Sequence, residues 1–377
     1  MQQIIRKIHY FIKIFFFVLV LSIIFDLLIN IIIPEKIKKK IGITRNYSLK
    51  SEVFHHEIAP NIDLYEHWGK KKYKVTTNKY SMRILNEKYS EININLDNIG
   101  FIGDSFVYGS GIDYQNHFIN LLNNNFNNYN LLNLGYVSYS PSIYLKKIKN
   151  YLVDKNIKFK KIFLFVDTSD IQDEGVFYRE DKNGNIVKKW LTDDEIKKKF
   201  IRHRIKNYLQ QNSFIFKFSQ FFQPSTPDKG IICLNKKENI SNYVPYLDYD
   251  RFSYGIDKNI QNKRWFKEGA SKVIKYLDQI KELSKLNEFE LVVVYYPSAV
   301  EVLKESNFVE SMHYKLLNEW SFLNKVKFID TSNEFNQSEL GLNNYKENFI
   351  ECDVHWNKNG HEIIAKYIKK FLNEKNY

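Results

Sequence analysis

Three segments carry residue types that can do nucleophilic chemistry, and they lie far apart in the chain. "FIGDSFVYGSG" (101–111) sets Gly103, Asp104 and Ser105 directly after an apolar run. "NLGYVSYS" (133–140) puts Gly135 after a second apolar run, and "CDVHWNKNGH" (352–361) carries Asp353 and His355 near the C-terminus. A serine hydroxyl is a poor nucleophile until a base takes its proton. His355 is the candidate base, with Asp353 to orient its imidazole and balance the cation that forms. The backbone N–H groups of Ser105 and Gly135 are candidates to meet the oxyanion that such an attack creates. Plainer readings stand beside these: Ser105 as a helix N-cap, His355 as a surface turn residue, His361 as a structural residue near the start of the last helix. Gly109 and Gly111 suggest a phosphate cradle, but no lysine or serine follows at phosphate-loop spacing.

The chemistry requires elements that bring these segments together. Five apolar runs read as strands: "NIGFI" (98–102), "YNLLNLG" (129–135), "KKIFLFVD" (160–167), "FELVVVYYP" (289–297) and "VKFID" (326–330). Between them, helical spacing recurs at Phe118, Leu121, Leu122 and Phe126, along "PSIYLKKIKNYLVDK" (141–155), from Ala270 to Leu283, and through Tyr314, Leu317 and Trp320. A last helix presents Ile364, Tyr367, Ile368 and Phe371. Apolar strands alternating with helices predict an α/β fold, a roughly five-stranded parallel sheet covered on both faces. Ligands of such sheets bind beyond the carboxyl ends of the strands. "GDSF", "NLGYVSYS" and "DTSD" (167–170) each follow a strand, and the Asp353/His355 segment follows the fifth, so all are expected on one rim.

The chain has 377 residues, 44% of them hydrophobic, enough for one large domain with an insertion or for two modest ones. Its formal charge of +13 reflects abundant lysine along the whole length rather than a basic stripe, and nucleic-acid binding is not expected. Cys233 and Cys352 are distant from each other and form no metal or redox motif. No metal and no cofactor is expected. Residues 34–96 read as a polar, irregular approach to the sheet domain, which is placed at 97–377. An insertion at 175–264 contains "TDDE" (192–195), with capping-box spacing that opens a basic helix towards Phe222. Its "YVPYLDYDRFSYG" (243–255) could stack sugars, or could be a loop pinned by its tyrosines.

Residues 8–33 are assigned as a transmembrane anchor. The stretch "IFFFVLVLSIIFDLLINIII" (14–33) has the length of a single span, with Asp26 and Asn30 as its polar interruptions. A cleaved signal peptide and a buried core helix are the competing readings. No small-x-small site follows the apolar run. Arg6 and Lys7 precede it and Lys36, Lys38, Lys39 and Lys40 follow it, so charge does not favour placing the large domain outside the cytoplasm.

These motifs resemble the SGNH superfamily, the GDSL-type esterases and lipases. Gly103-Asp104-Ser105 is similar to the first block, Gly135 to the second, and Asp353 with His355 to the last, in the family's order over residues 97–374. The resemblance implies a flavodoxin-like three-layer sandwich, an acyl-enzyme on Ser105 and proton transfer through His355. It also implies an oxyanion site from Ser105, Gly135 and the third block. That block is typically Gly-x-Asn-Asp; here it is Asp167-Thr168-Ser169-Asp170, with Ser169 in the asparagine position. Many members place the aspartate three residues before the histidine. Here it stands two before, Cys352 takes the other slot, and Glu351 is a nearby substitute. "GDSFVYGSG" with "DVHWNKNGH" is similar to members found beside cell-surface polysaccharide and acyl-transfer genes. The implied function is a membrane-anchored esterase or O-acyltransferase, periplasmic or extracellular, acting on O-acetyl groups of surface glycans beside polysaccharide-synthesis partners. A catalytically weak protein of this fold that binds a glycan or a partner is the alternative.

Overall fold

The computed structural model describes residues 2–33, 47–68, 71–188, 213, 255–303, 310–335, 341–351 and 353–373. The basic helix expected from "TDDE" and nearly all of "YVPYLDYDRFSYG" lie outside these residues. The chain divides into two units, Met1–Ser48 with Trp190–Thr226, and Leu49–Lys189 with Pro227–Tyr377. The principal described element of the first is helix α1 (Gln2–Ile32). Its window His9–Asp26 has a mean hydropathy of 2.0 and no buried residue. At 1.5 Å per residue the helix is about 46 Å long, against roughly 30 Å of hydrocarbon in a bilayer. It is long and apolar enough to cross a membrane.

The second unit begins with structure where an irregular approach was expected. Strands β1 (Asp63–Trp68), β2 (Lys71–Thr77) and β3 (Arg83–Ile84) form an antiparallel sheet in that order. Tyr73, Val75 and Thr77 alternate inward along β2, while Lys72 and Lys74 face solvent.

The parallel sheet follows the expected runs closely. It consists of β4 (Asp97–Ile102), β5 (Tyr129–Asn133), β6 (Lys161–Phe165), β7 (Glu290–Tyr295) and β8 (Lys327–Asp330), ordered β8-β7-β6-β4-β5. All four pairings are parallel. Read from the β5 edge, this is the 2-1-3-4-5 order of doubly wound flavodoxin-like sheets. Every residue of β6 is buried, as a central strand covered on both faces must be. Helices Phe118–Asn123 and Lys358–Asn373 pack together, as do Pro141–Val153 and Arg264–Leu286. With right-handed crossovers these pairs cover opposite faces. On one face Phe101 stacks on Phe163 at 5.1 Å, and Phe118 and Phe371 close over them edge-on.

Register fixes the rim. Ile102 of β4 lies beside Leu164 of β6, so three residues further on each strand come Ser105 and Asp167. The ligand-binding crevice of this topology opens between those two strands, where the order of connections reverses.

Candidate active site

The turn after β4 shows what Ser105 is not. Asp104 is the N-cap, and its Oδ1 accepts the Phe106 N–H at 2.9 Å. Ser105 is therefore the first helical residue of Ser105–Tyr108, and its hydroxyl is not used in capping. A four-residue helix cannot hold itself together, and side chains from elsewhere secure its open end. Asn133 Nδ2 donates to Val107 O at 2.9 Å, and the His117 ring meets the same oxygen through Nε2 at 3.0 Å. Arg83, almost wholly buried, donates through Nη1 to Tyr108 O at 2.9 Å and to Gly109 O at 2.5 Å, and through Nη2 to Ile112 O at 2.6 Å. Gly135 is needed for close approach: a Cβ there would lie 2.7 Å from Val107 Cβ and 2.8 Å from Tyr108 N.

His355 reaches this turn from the far end of the chain. The segment that carries it is folded back on itself. Phe349 bridges Trp356, Ile350 N–H donates to His355 O at 2.8 Å, and Asp353 N–H donates to Ile350 O at 2.9 Å. Tyr345 Oη clasps the same loop, donating to Asp353 O at 2.7 Å and accepting the Asp353 N–H at 2.9 Å. The result joins residues 250 positions apart: His355 Nε2 lies 2.8 Å from Ser105 Oγ. On the other side of the ring, Nδ1 faces Asp353 Oδ1 in a short hydrogen bond, and the same oxygen accepts the His355 N–H at 2.9 Å. Trp68 Nε1 donates to Asp353 Oδ2 at 2.8 Å. His355 and Asp353 are buried, while Ser105 is partly exposed and open to approach.

The electrostatics follow from this packing. Burial alone would pull the imidazole of His355 down, but the charge and hydrogen bond of Asp353 outweigh it, with Asp104 and Asp167 adding to the pull; the net shift is upward. Burial would push Asp353 up, and the facing imidazole with the hydrogen bonds from His355 and Trp68 reverses that, holding it below the usual carboxylate range. Asp104 goes the other way. Burial, and then the charge of Asp167, push its carboxyl up to about 8. Ser105 Oγ has two acceptors within reach, His355 Nε2 at 2.8 Å and Asp104 Oδ2 at 3.3 Å. The imidazole is the nearer of the two, within the reach a general base needs.

The expected oxyanion donors are placed unequally. Ser105 N–H has no acceptor among the described residues. Gly135 N–H donates to Asn133 Oδ1 at 3.1 Å. Ser169 is buried, and both its N–H (2.9 Å) and its hydroxyl donate to Asp167 Oδ2. Glu351, weighed as a stand-in for Asp353, is exposed. His361 is buried and accepts the Phe118 N–H at 3.4 Å through Nδ1, in keeping with a structural place. Among the described residues no group of three His, Cys, Asp or Glu side chains is placed to hold a metal ion.

No protein-family model matches the chain, and no curated protein matches it. Solved structures do. A lipolytic protein of the G-D-S-L family from Veillonella parvula is 13% identical over 74% of this chain and 99% of its own, with a TM-score of 0.40. An acetyl xylan esterase, AlAXEase, is 12% identical over 73% and 99%, with a TM-score of 0.39. The esterase EstA from Pseudoalteromonas is 9% identical over 74% and 100%, with a TM-score of 0.38. At these values the likeness is one of outline, and the chemistry must be read from the atoms of this chain.

Proposed function

We propose that the protein is a serine hydrolase of SGNH type that works through an acyl-Ser105 intermediate. The observation that carries this reading is the unbroken hydrogen-bonded line from Ser105 Oγ through the His355 ring to Asp353. In the forward step Ser105 Oγ attacks an ester carbonyl as His355 Nε2 takes its proton. Asp353 holds the Nδ1–H tautomer and balances the imidazolium. The proton then passes to the leaving alkoxide, and an acceptor, water or a hydroxyl, reverses the sequence. Ser105 N–H is the available oxyanion donor; Gly135 and Ser169 contribute once each exchanges its present acceptor for the oxyanion.

The apolar N-terminal helix supports anchoring in a membrane; the placement of the catalytic domain on the outer side comes from the family resemblance. By analogy with the family, the substrate is an O-acetyl group on a surface glycan, cleaved by an esterase or passed on by an O-acyltransferase. A second reading, a glycan- or partner-binding protein of the same fold, is favoured by one observation: two of the three expected oxyanion donors are engaged elsewhere.

Hydrolysis of p-nitrophenyl acetate separates these readings. The proposal expects turnover with an initial burst of nitrophenol equal to the enzyme present; no release above the solvent rate would overturn it. Nitrophenol release accelerated by an added glycan, with acetate appearing on the sugar, marks a transferase.

The pH profile has a definite sign. Only the neutral imidazole can take the serine proton, and His355 titrates above the ordinary 6.5. So kcat/KM is expected to rise with pH through an apparent pKa above 6.5. That value belongs to the cluster as a whole, since Asp104 titrates beside it at about 8. A rate that falls as pH rises through this window would contradict a His355 base.

A further inference from the structure

The approach sheet sends one residue into the site, and nothing in the catalytic motifs points to it. Trp68 is the last residue of β1, where it pairs with Lys71. Its indole N–H donates to Asp353 Oδ2, across 285 positions of sequence. Its ring stands perpendicular to that of His355, with centroids 5.0 Å apart, and Phe106 lies against the imidazole as well, at 4.9 Å.

We infer that Trp68 is a positioning residue of the proposed reaction, holding Asp353 and His355 in the alignment that lets His355 take the proton of Ser105. This rests on the hydrolase reading above. The terminal torsion of an aspartate is soft and roughly two-fold, so a carboxylate bonded through one oxygen can swing. In Asp353, Oδ1 is occupied by the backbone N–H and Nδ1 of His355, and Trp68 is the donor that fixes Oδ2. Two oxygens held from two directions define the carboxylate plane, and with it the direction along which the imidazole is held. Trp68 and Phe106 restrict the ring itself. A buried carboxylate oxygen that lost its donor would also bear an uncompensated desolvation cost.

The second glycine after Ser105 leaves room for this arrangement. Gly111 has φ +76, and a Cβ there would come within 2.9 Å of Trp68 Cδ1 and 2.7 Å of Ile350 Cδ1. Any other residue would push against the indole and against the loop that carries Asp353. The glycine that resembled part of a phosphate cradle makes room for Trp68. It follows that the site is incomplete without β1, and that residues 97–377 alone lack one of its supports.

The test uses full-length protein in detergent micelles and a Trp68→Phe variant, which keeps an aromatic ring but removes the donor. The His355 titration is followed by NMR of ¹³C-labelled histidine, a readout that needs no turnover, alongside the pH dependence of fluorophosphonate labelling. Losing a donor concentrates charge on the carboxylate, so the variant's His355 midpoint is expected to move up. Labelling is expected to slow by about ten- to a hundredfold, the scale of one hydrogen bond to a charged group. A variant with a lowered melting temperature but an unmoved midpoint and an unmoved labelling profile would show a structural role only, and overturn the inference. Should the variant fail to fold, the wild type decides: the ¹⁵N indole signal of Trp68 must shift with the His355 midpoint, and a flat response overturns the inference. Wild type that leaves Ser105 unlabelled would sink the hydrolase reading, while the His355 titration would still tell whether Trp68 governs the Asp353–His355 pair.

Discussion

Replacing Ser105 with alanine is expected to leave a folded protein whose ester hydrolysis is lower on the order of a millionfold, and His355→Ala is expected to match it, as members of a serine triad act as one unit. The physical reason is the 2.8 Å contact between Ser105 Oγ and His355 Nε2. Without the imidazole the hydroxyl keeps its proton, and without the hydroxyl the imidazole has nothing to activate. The double variant should therefore be no slower than either single one. The two differ in stability. Ser105 is partly exposed and its hydroxyl caps nothing, so its loss should scarcely move the melting temperature. Loss of His355 takes from the buried Asp353 carboxylate the ring N–H that its Oδ1 accepts, a change that costs about 1–3 kcal/mol where a buried acceptor loses a partner. Steady-state rates on p-nitrophenyl acetate with parallel thermal melts check both. Additive losses in the double variant would mean that the two residues do not act together.

The second large effect is expected at Asp353. Asp353→Asn preserves size and shape but can present an N–H where Oδ1 now accepts, which favours the tautomer with its proton on Nε2, facing Ser105. In that state His355 cannot receive the serine proton, and a loss of about ten-thousandfold in kcat is the scale such a substitution has in a serine triad. The same change should lower the His355 midpoint, since the charge of Asp353 is what raises it against burial. Glu351→Ala should do neither, because that side chain faces solvent. Kinetics of the two variants, with histidine NMR for the midpoint, distinguish a working partner from a bystander. Equal losses at 351 and 353 would mean the loop as a whole matters, not the carboxylate.

The parallel sheet was readable because central strands buried on both faces must be apolar throughout. "KIFLF" and "LVVV" have no other comfortable environment, and the wide spacing between runs calls for helical crossovers. The convergence of Ser105, Asp353 and His355 was legible for a related reason: each follows a strand, and strands in a parallel sheet end on one edge. The unusual spacing of Asp353 also resolves in simple terms, since from two residues away its Oδ1 accepts both the backbone N–H and the ring N–H of His355.

The approach sheet was missed because its pattern is disguised. The inward row of β1 includes Glu66, buried and accepting from Tyr73 and Tyr108, so a charged residue sits where an apolar one would announce a strand. Arg83 was invisible for the same reason, a buried cation whose value lies in four carbonyls scattered along the chain. The partners of Ser169 and Gly135 were likewise beyond sequence, because they depend on where individual N–H and O–H bonds point.

Whether Ser105 is the activated nucleophile is decided by the mass of the intact protein after treatment with a fluorophosphonate, followed by peptide mapping. One adduct per chain is expected, on Ser105, absent in Ser105→Ala and strongly slowed in His355→Ala. A folded wild-type protein that takes up no label, or takes it on a different residue, would contradict it.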